Sequence, residues 1–217
     1  MKFSKRCSKP FGKFLFIYKK IKKMIGSHNS FTFKNATCKL YNVFKSFWKC
    51  QDKSLQEQYN SGVRFFDLRV FRKDDLHWGL AHGLVNLYGG YDTIYTLMFY
   101  MMTQFPEAYF RVILEKDDSS VSKIFEDEVA DAVTVLADRT HLYQAIIKSG
   151  WKILYTSNQE FIFHDFCYTP ILSGESFWYN MKHFKFSSIK KYAKKHNPEI
   201  TQEMKDDQSN IYFMDFV

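Results

Sequence analysis

The chain has 217 residues, of which 46% are hydrophobic and 19% aromatic, a composition that excludes a disordered or fibrous polymer and is long enough to bury a core without staples. Its net charge of +8 points to an anionic partner, whether nucleic acid or an anionic bilayer, or to a solvated face alone. The cysteines, Cys7, Cys38, Cys50 and Cys167, form no Cys-x-x-Cys pair, so their spacing suggests neither a zinc site nor a disulfide framework and reads as buried thiols in a reducing compartment.

In chain order, the first 23 residues come first: Lys2, Lys5, Arg6, Lys9, Lys13, Lys19, Lys20, Lys22 and Lys23 occur there without one acid. Lysines interrupt Phe11, Phe14, Leu15, Phe16, Ile17 and Tyr18 too often for a secretory apolar segment. The longest purely apolar run, Leu97 to Met102, is far short of the ~20 residues that span a bilayer. The reading is a cytoplasmic or peripheral membrane protein, with no signal peptide or transmembrane helix. Residues 1–21 form a basic extension and 22–217 one domain. The extension suits an anionic membrane surface, where each Lys or Arg contributes about 1 kcal/mol.

Short apolar runs predict strands at Met24-Ile25, Val63 to Val70, Leu80-Ala81, Tyr109 to Leu114, Trp151 to Tyr155, Phe161 to Phe163 and Ile211 to Val217. Helices are predicted from a cap at Asp92 to a stop at Pro106, over Val121 to Leu136, over Leu142 to Lys148, and from Ser187 to His196, ended by Pro198. Strands alternating with helices argue for an α/β fold with a parallel sheet, with a mixed α+β domain as the alternative.

Within the strand Val63 to Val70, Asp67 and Arg69 share a face. They read either as a water-facing edge pair or as a site at the wet end of a buried strand. His28 follows a Gly-Ser turn, and His82 precedes the turn residue Gly83. Either imidazole alone is more often structural than catalytic. Asp215 lies in an aromatic strand, and a buried carboxylate there needs a partner, of which a histidine is the natural one.

Four motifs occur in order: Met24-Ile25-Gly26-Ser27-His28-Asn29-Ser30, the segment from Trp48 to Tyr59, Gly62-Val63-Arg64-Phe65-Phe66-Asp67-Leu68-Arg69, and His82-Gly83. Together they resemble the X domain of phosphatidylinositol-specific phospholipase C, especially its bacterial branch, over residues 22 to 117 and the closing Asp-Phe-Val. The resemblance implies a compact, distorted TIM-like (β/α) barrel and a phosphodiester-cleaving lyase. His28 falls on the family's general base and His82 on its general acid. Asp67 and Arg69 match its Asp-x-Arg, and Asp215 matches the aspartate that orients the base.

On that resemblance His28 takes a proton from a substrate hydroxyl, which attacks phosphorus. Arg69 holds the phosphoryl oxygens, and His82, supported by Asp67, protonates the leaving alkoxide. The products are a cyclic phosphate and an alcohol such as diacylglycerol. Asn29, Glu115 and Lys116 are the candidate substrate contacts. Arg69 stands where calcium-dependent relatives carry an acid, so no metal cofactor is expected; Asn29, Asp67 and Glu115 keep calcium as the alternative. Asn29 departs from the Asp common in bacterial members, and the family's inositol contacts find no match after residue 117. A soluble phosphodiester is therefore an alternative substrate, and a non-catalytic module binding anionic lipid is the alternative from another class. No nucleic-acid partner is expected, and the oligomeric state is not legible.

Overall fold

The computed structural model describes residues 25–116, 118–136, 142–148, 152–156, 162–166, 189–203 and 210–217. The basic extension lies outside them, as do Cys7 and Cys167. The strands are β1 (Ile25–Ser27), β2 (Val63–Arg72), β3 (Trp78–His82), β4 (Val85–Tyr91), β5 (Tyr109–Lys116), β6 (Leu142–Ile147), β7 (Lys152–Thr156), β8 (Ile162–Phe166) and β9 (Asn210–Met214). The helices are α1 (Lys39–Val43), α2 (Leu55–Asn60), α3 (Ile94–Gln104), α4 (Ser119–Leu136) and α5 (Ile189–Glu203). Among the described residues no helix is long and apolar enough to cross a membrane.

The strands form one sheet in the order β7-β6-β5-β2-β1-β9-β8, with β3 and β4 branching as a hairpin from the far end of β2. Neighbours from β6 to β8 run parallel, whereas β7 and the hairpin are antiparallel. The α/β class is as expected. Instead of a closed barrel, however, the described residues show an open sheet: β7 and β8 each pair on one side only.

Residues on both faces of β2 are buried, including Phe65, Phe66, Leu68 and Val70, which is why its sequence reads as a near-continuous apolar run. On one side α3 and α4 pack together, and Phe125 of α4 meets Trp78 edge-on at 5.6 Å. Glu128 ties this layer to the hairpin, accepting from Trp78 Nε1 and from the backbone N–H of Ile94 at 2.9 Å each.

Several local expectations are corrected. The cap of α3 is Thr93, whose hydroxyl accepts from Thr96 N–H in a reciprocal box; Asp92 stands one residue too early. Leu142–Ile147 is a strand, because pairing with β5 decides a short apolar run whose spacing suits either state. The last helix continues through Pro198 to Glu203, since a proline disrupts only its own turn and the chain can resume beyond it. Strand β4 was not foreseen, because Gly89 and Gly90 make it read as a turn. Gly90 is required there: a Cβ would strike the carbonyl of Trp78.

Candidate active site

Strand register builds the first half of the site. Ser27 of β1 lies abreast of Met214 of β9, and His28 N–H extends the ladder to the Met214 carbonyl at 3.0 Å. The next pair abreast is therefore His28 and Asp215, joined at 2.8 Å between Nδ1 and Oδ1. A carboxylate only accepts, so Nδ1 carries the ring proton and Nε2 presents its lone pair. Gln51 clamps the two strand ends, donating from Nε2 to the His28 and Met214 carbonyls. Asn29 then takes the left-handed conformation, φ 46° and ψ 56°, which asparagine tolerates better than most residues. That turn aims its backbone N–H at Asp67 Oδ2, 3.1 Å away.

Asp67 and Arg69 do not face water. Strand β2 lies between β1 and β5, and Asp67 is fully buried. Its Oδ2 accepts from Arg69 Nε at 3.1 Å and Nη2 at 3.0 Å. Its Oδ1 accepts from Nε of Arg111 at 3.0 Å, a residue that the β2–β5 register sets directly abreast. Burial would raise the Asp67 pKa, but Arg111 and Arg69 outweigh it and hold the carboxyl far below its ordinary range. Arg111 also sits over Phe213, its guanidinium carbon 3.7 Å from the ring centre.

Arg69 joins the two halves. Its Nη2 stands 2.8 Å from His28 Nε2, and its Nη1 donates to Glu115 at 2.6 Å. Lys148 closes the chain by donating to the other Glu115 oxygen at 2.5 Å. Burial opposes ionisation of Glu115, yet Arg69 and Lys148 hold its pKa below the ordinary value. Burial likewise works against the Arg69 cation, but Asp67 and Glu115 prevail and keep it charged. Asp67 and Glu115, two of the oxygen donors weighed for calcium, are thus each paired with two cations.

His82 ends β3 at a two-residue turn, Gly83-Leu84, in which only Gly83 has positive φ, at 57°, the pattern of a type II′ hairpin. This turn brings its ring to 6.1 Å from that of His28, nearly perpendicular. Asp67 does not support it, since the carboxylate is taken up by Arg69, Arg111 and the Asn29 N–H. The carbonyl of Trp48 orients the ring instead, accepting from Nδ1 at 2.5 Å. Burial, reinforced by the Arg69 and His28 charges, pushes the His82 pKa down to about 4.

Lys116, expected to touch substrate, is drawn to the hairpin, where Nζ donates to the Leu84 carbonyl and to Asn86 Oδ1. Arg111, Lys148, Gln51 and the Trp48 carbonyl escaped the sequence reading. Arg111 alone carried a signal, a charge inside the apolar run Tyr109 to Leu114. His28, Arg69, Glu115, Lys148 and Asp215 all project from the carboxyl ends of parallel strands, where ligands bind in open α/β sheets.

No family model matches the chain. Over 106 residues it is 35% identical to the 1-phosphatidylinositol phosphodiesterase of Staphylococcus aureus strain Newman, a stretch covering 47% of this chain and 32% of that protein. The same protein of strain NCTC 8325 matches equally, over 31% of its length. The chain therefore aligns with less than a third of these curated relatives. Among solved structures, the phosphatidylinositol-specific phospholipase C of Listeria monocytogenes superposes with a TM-score of 0.58 at 14% identity, covering 89% of this chain and 88% of that one. The S. aureus enzyme superposes with 0.55 at 18% identity, covering 89% and 85%.

The fold is that of the bacterial phosphatidylinositol-specific phospholipases C. The resemblance read from the ordered motifs is borne out, and the sequence likeness falls on the S. aureus phosphodiesterase in particular.

Proposed function

We propose that the protein is a phosphodiester-cleaving lyase of the phospholipase C type, acting on phosphatidylinositol or a related lipid. The observation that carries this reading is the placing of two imidazoles 6.1 Å apart with the Arg69 guanidinium against one of them. His28, its tautomer held by Asp215, takes the proton of a substrate hydroxyl at Nε2. That oxygen attacks the neighbouring phosphorus. Arg69, positioned by Asp67 and Glu115, pairs with the phosphoryl oxygens as charge grows on them. His82, once protonated, delivers its Nε2 proton to the leaving alkoxide. A cyclic phosphate and a free alcohol result, each proton transfer contributing about 10²–10⁴ in rate.

Turnover on this reading needs no metal, because a fixed guanidinium stands between the acids that calcium would otherwise bridge. The sheet reads as the wall of a distorted TIM-like barrel, supported by the fold likeness and by the chemistry gathered at the carboxyl strand ends.

Exposed apolar side chains along α1 and at the β3–β4 turn support a lipid substrate over a soluble one. Leu40, Val43 and Phe44 are 62%, 75% and 49% exposed, and Leu84, next but one to His82, is 82% exposed. The exposed Lys39 and Lys45 flank this patch. Such a surface suits peripheral docking on an anionic bilayer, and the basic residues of positions 1–21 would add to it.

Phosphorus NMR of a phosphatidylinositol digest tests the reading. A cyclic-phosphate signal is expected from the wild type and none from His28→Ala or His82→Ala. Turnover confined to water-soluble phosphodiesters would move the substrate class to soluble esters, and histidine variants indistinguishable from wild type would end the proposal.

A further inference from the structure

The segment that orients His82 also carries a buried thiol. Cys50 Sγ, a His28 ring nitrogen and an Asp215 oxygen all lie within 4.8 Å of one another. The sulfur is also 4.0 Å from His82 Nδ1. The three donors come from segments far apart in the chain, which is why cysteine spacing alone gave no hint of a metal site. Thiolate, imidazole and carboxylate are the ligands of tetrahedral zinc, held at about 2.0–2.3 Å, and a thiolate selects thiophilic ions over calcium or magnesium.

A second observation points to the same spot. Asn29 is 2% exposed, and its Oδ1 is buried with no hydrogen-bond partner among the described residues. The amide nitrogen of that side chain lies 3.9 Å from Cys50 Sγ and 3.0 Å from His28 Nε2. A half-turn of the amide brings the orphan oxygen toward both. Buried acceptors without partners are rare, and a cation seated among these groups would satisfy this one.

We propose that Cys50, His28 and Asp215 form a binding site for a thiophilic divalent cation, Zn²⁺ foremost, with the Asn29 carbonyl or a water as fourth ligand, and that its occupancy shuts the active centre. Binding deprotonates the thiol and releases that proton to solvent, so affinity rises with pH. Coordination at His28 Nε2 occupies the base's lone pair directly. Coordination at Nδ1 breaks the Asp215 hydrogen bond and drives the ring proton to Nε2. Either way His28 can no longer accept a proton from substrate. The inhibitory consequence rests on the function proposed above, whereas the binding itself does not.

The test uses the full chain, reduced and metal-free, titrated with Co²⁺. A thiolate-to-cobalt charge-transfer band is expected in the wild type and in Cys38→Ala, which removes an exposed thiol. It should be absent in Cys50→Ser and Cys50→Ala, with Zn²⁺ abolishing it in the wild type by displacement. Zn²⁺ should inhibit phosphatidylinositol cleavage reversibly, relieved by a chelator, while either Cys50 variant, scored against its own metal-free rate, needs at least about 10-fold more zinc for the same fractional inhibition. A wild type without the cobalt band, or Cys50 variants that retain it, would overturn the site. A band in a protein that cleaves no phosphodiester would leave the metal site standing and remove the enzymatic reading instead.

Discussion

Arg69 Nη2 donates to His28 Nε2 across 2.8 Å, so the proposed phosphate-holding group and the proposed base share one nitrogen in the free protein. A guanidinium has no acceptor, and the contact therefore forms only when Nε2 is unprotonated. Substrate oxygens must draw Arg69 away before that lone pair can accept a proton. The pairing keeps the base in its working tautomer and makes its release depend on bound phosphate.

Replacing Arg69 with Lys keeps a charge but loses the fork that reaches Asp67, Glu115 and His28 together. The expected outcome is a fall in kcat of about 10²–10³ with a smaller change in KM, measured by steady-state kinetics on dispersed phosphatidylinositol. A raised KM with kcat unchanged would place the arginine in ground-state binding instead.

His82 is held neutral in the free protein, its pKa near 4, so it must gain its proton when the substrate's negative charge arrives. NMR titration should find this ring titrating near pH 4 in the free protein and at higher pH with inorganic phosphate bound. The alkaline limb of kcat should accordingly lie at higher pH than that of kcat/KM. Stability follows the same shift. Between the ordinary histidine pKa of about 6.5 and 4, the unfolded chain binds a proton that the folded one does not. His82 therefore lowers stability as pH falls through that window and adds no further loss below it. Thermal melts should show His82→Gln losing less stability than the wild type between these values.

From the strand abreast, Arg111 neutralises half of Asp67, the carboxylate that positions Arg69. Arg111→Met leaves that buried carboxylate with one cation fewer, and unfolding by urea should show a loss of about 3–5 kcal/mol. Asp67→Asn in the same background should recover part of it, because the unpaired charge is then gone.

The apolar patch predicts a separation of binding from chemistry. Val43→Ser and Leu84→Ser should each weaken sedimentation with anionic vesicles by about 10-fold, the worth of burying one such side chain at the low end of 1.5–3 kcal/mol. Turnover of a short-chain monomeric substrate should stay unchanged.

Much of the site was legible because its motifs are local. His28, Asp67, Arg69 and His82 each sit in a few residues whose order is informative, and alternation along β2 already put Asp67 and Arg69 on one face. Partners brought in by neighbouring strands were not legible. Lys148 was hidden because its strand reads as well for a helix. Trp48 orients His82 through a carbonyl, which every residue possesses and no sequence marks.

Sequence alone determined the α/β class and the short motifs that carry the proposed chemistry, since periodicity and side-chain type are properties of short segments. Register and chain crossing decided the rest. They set Asp215 beside His28, gave Asp67 to Arg111 instead of His82, and brought Cys50 against the base, because the distance between residues remote in the chain depends on how the strands pair and not on any segment by itself.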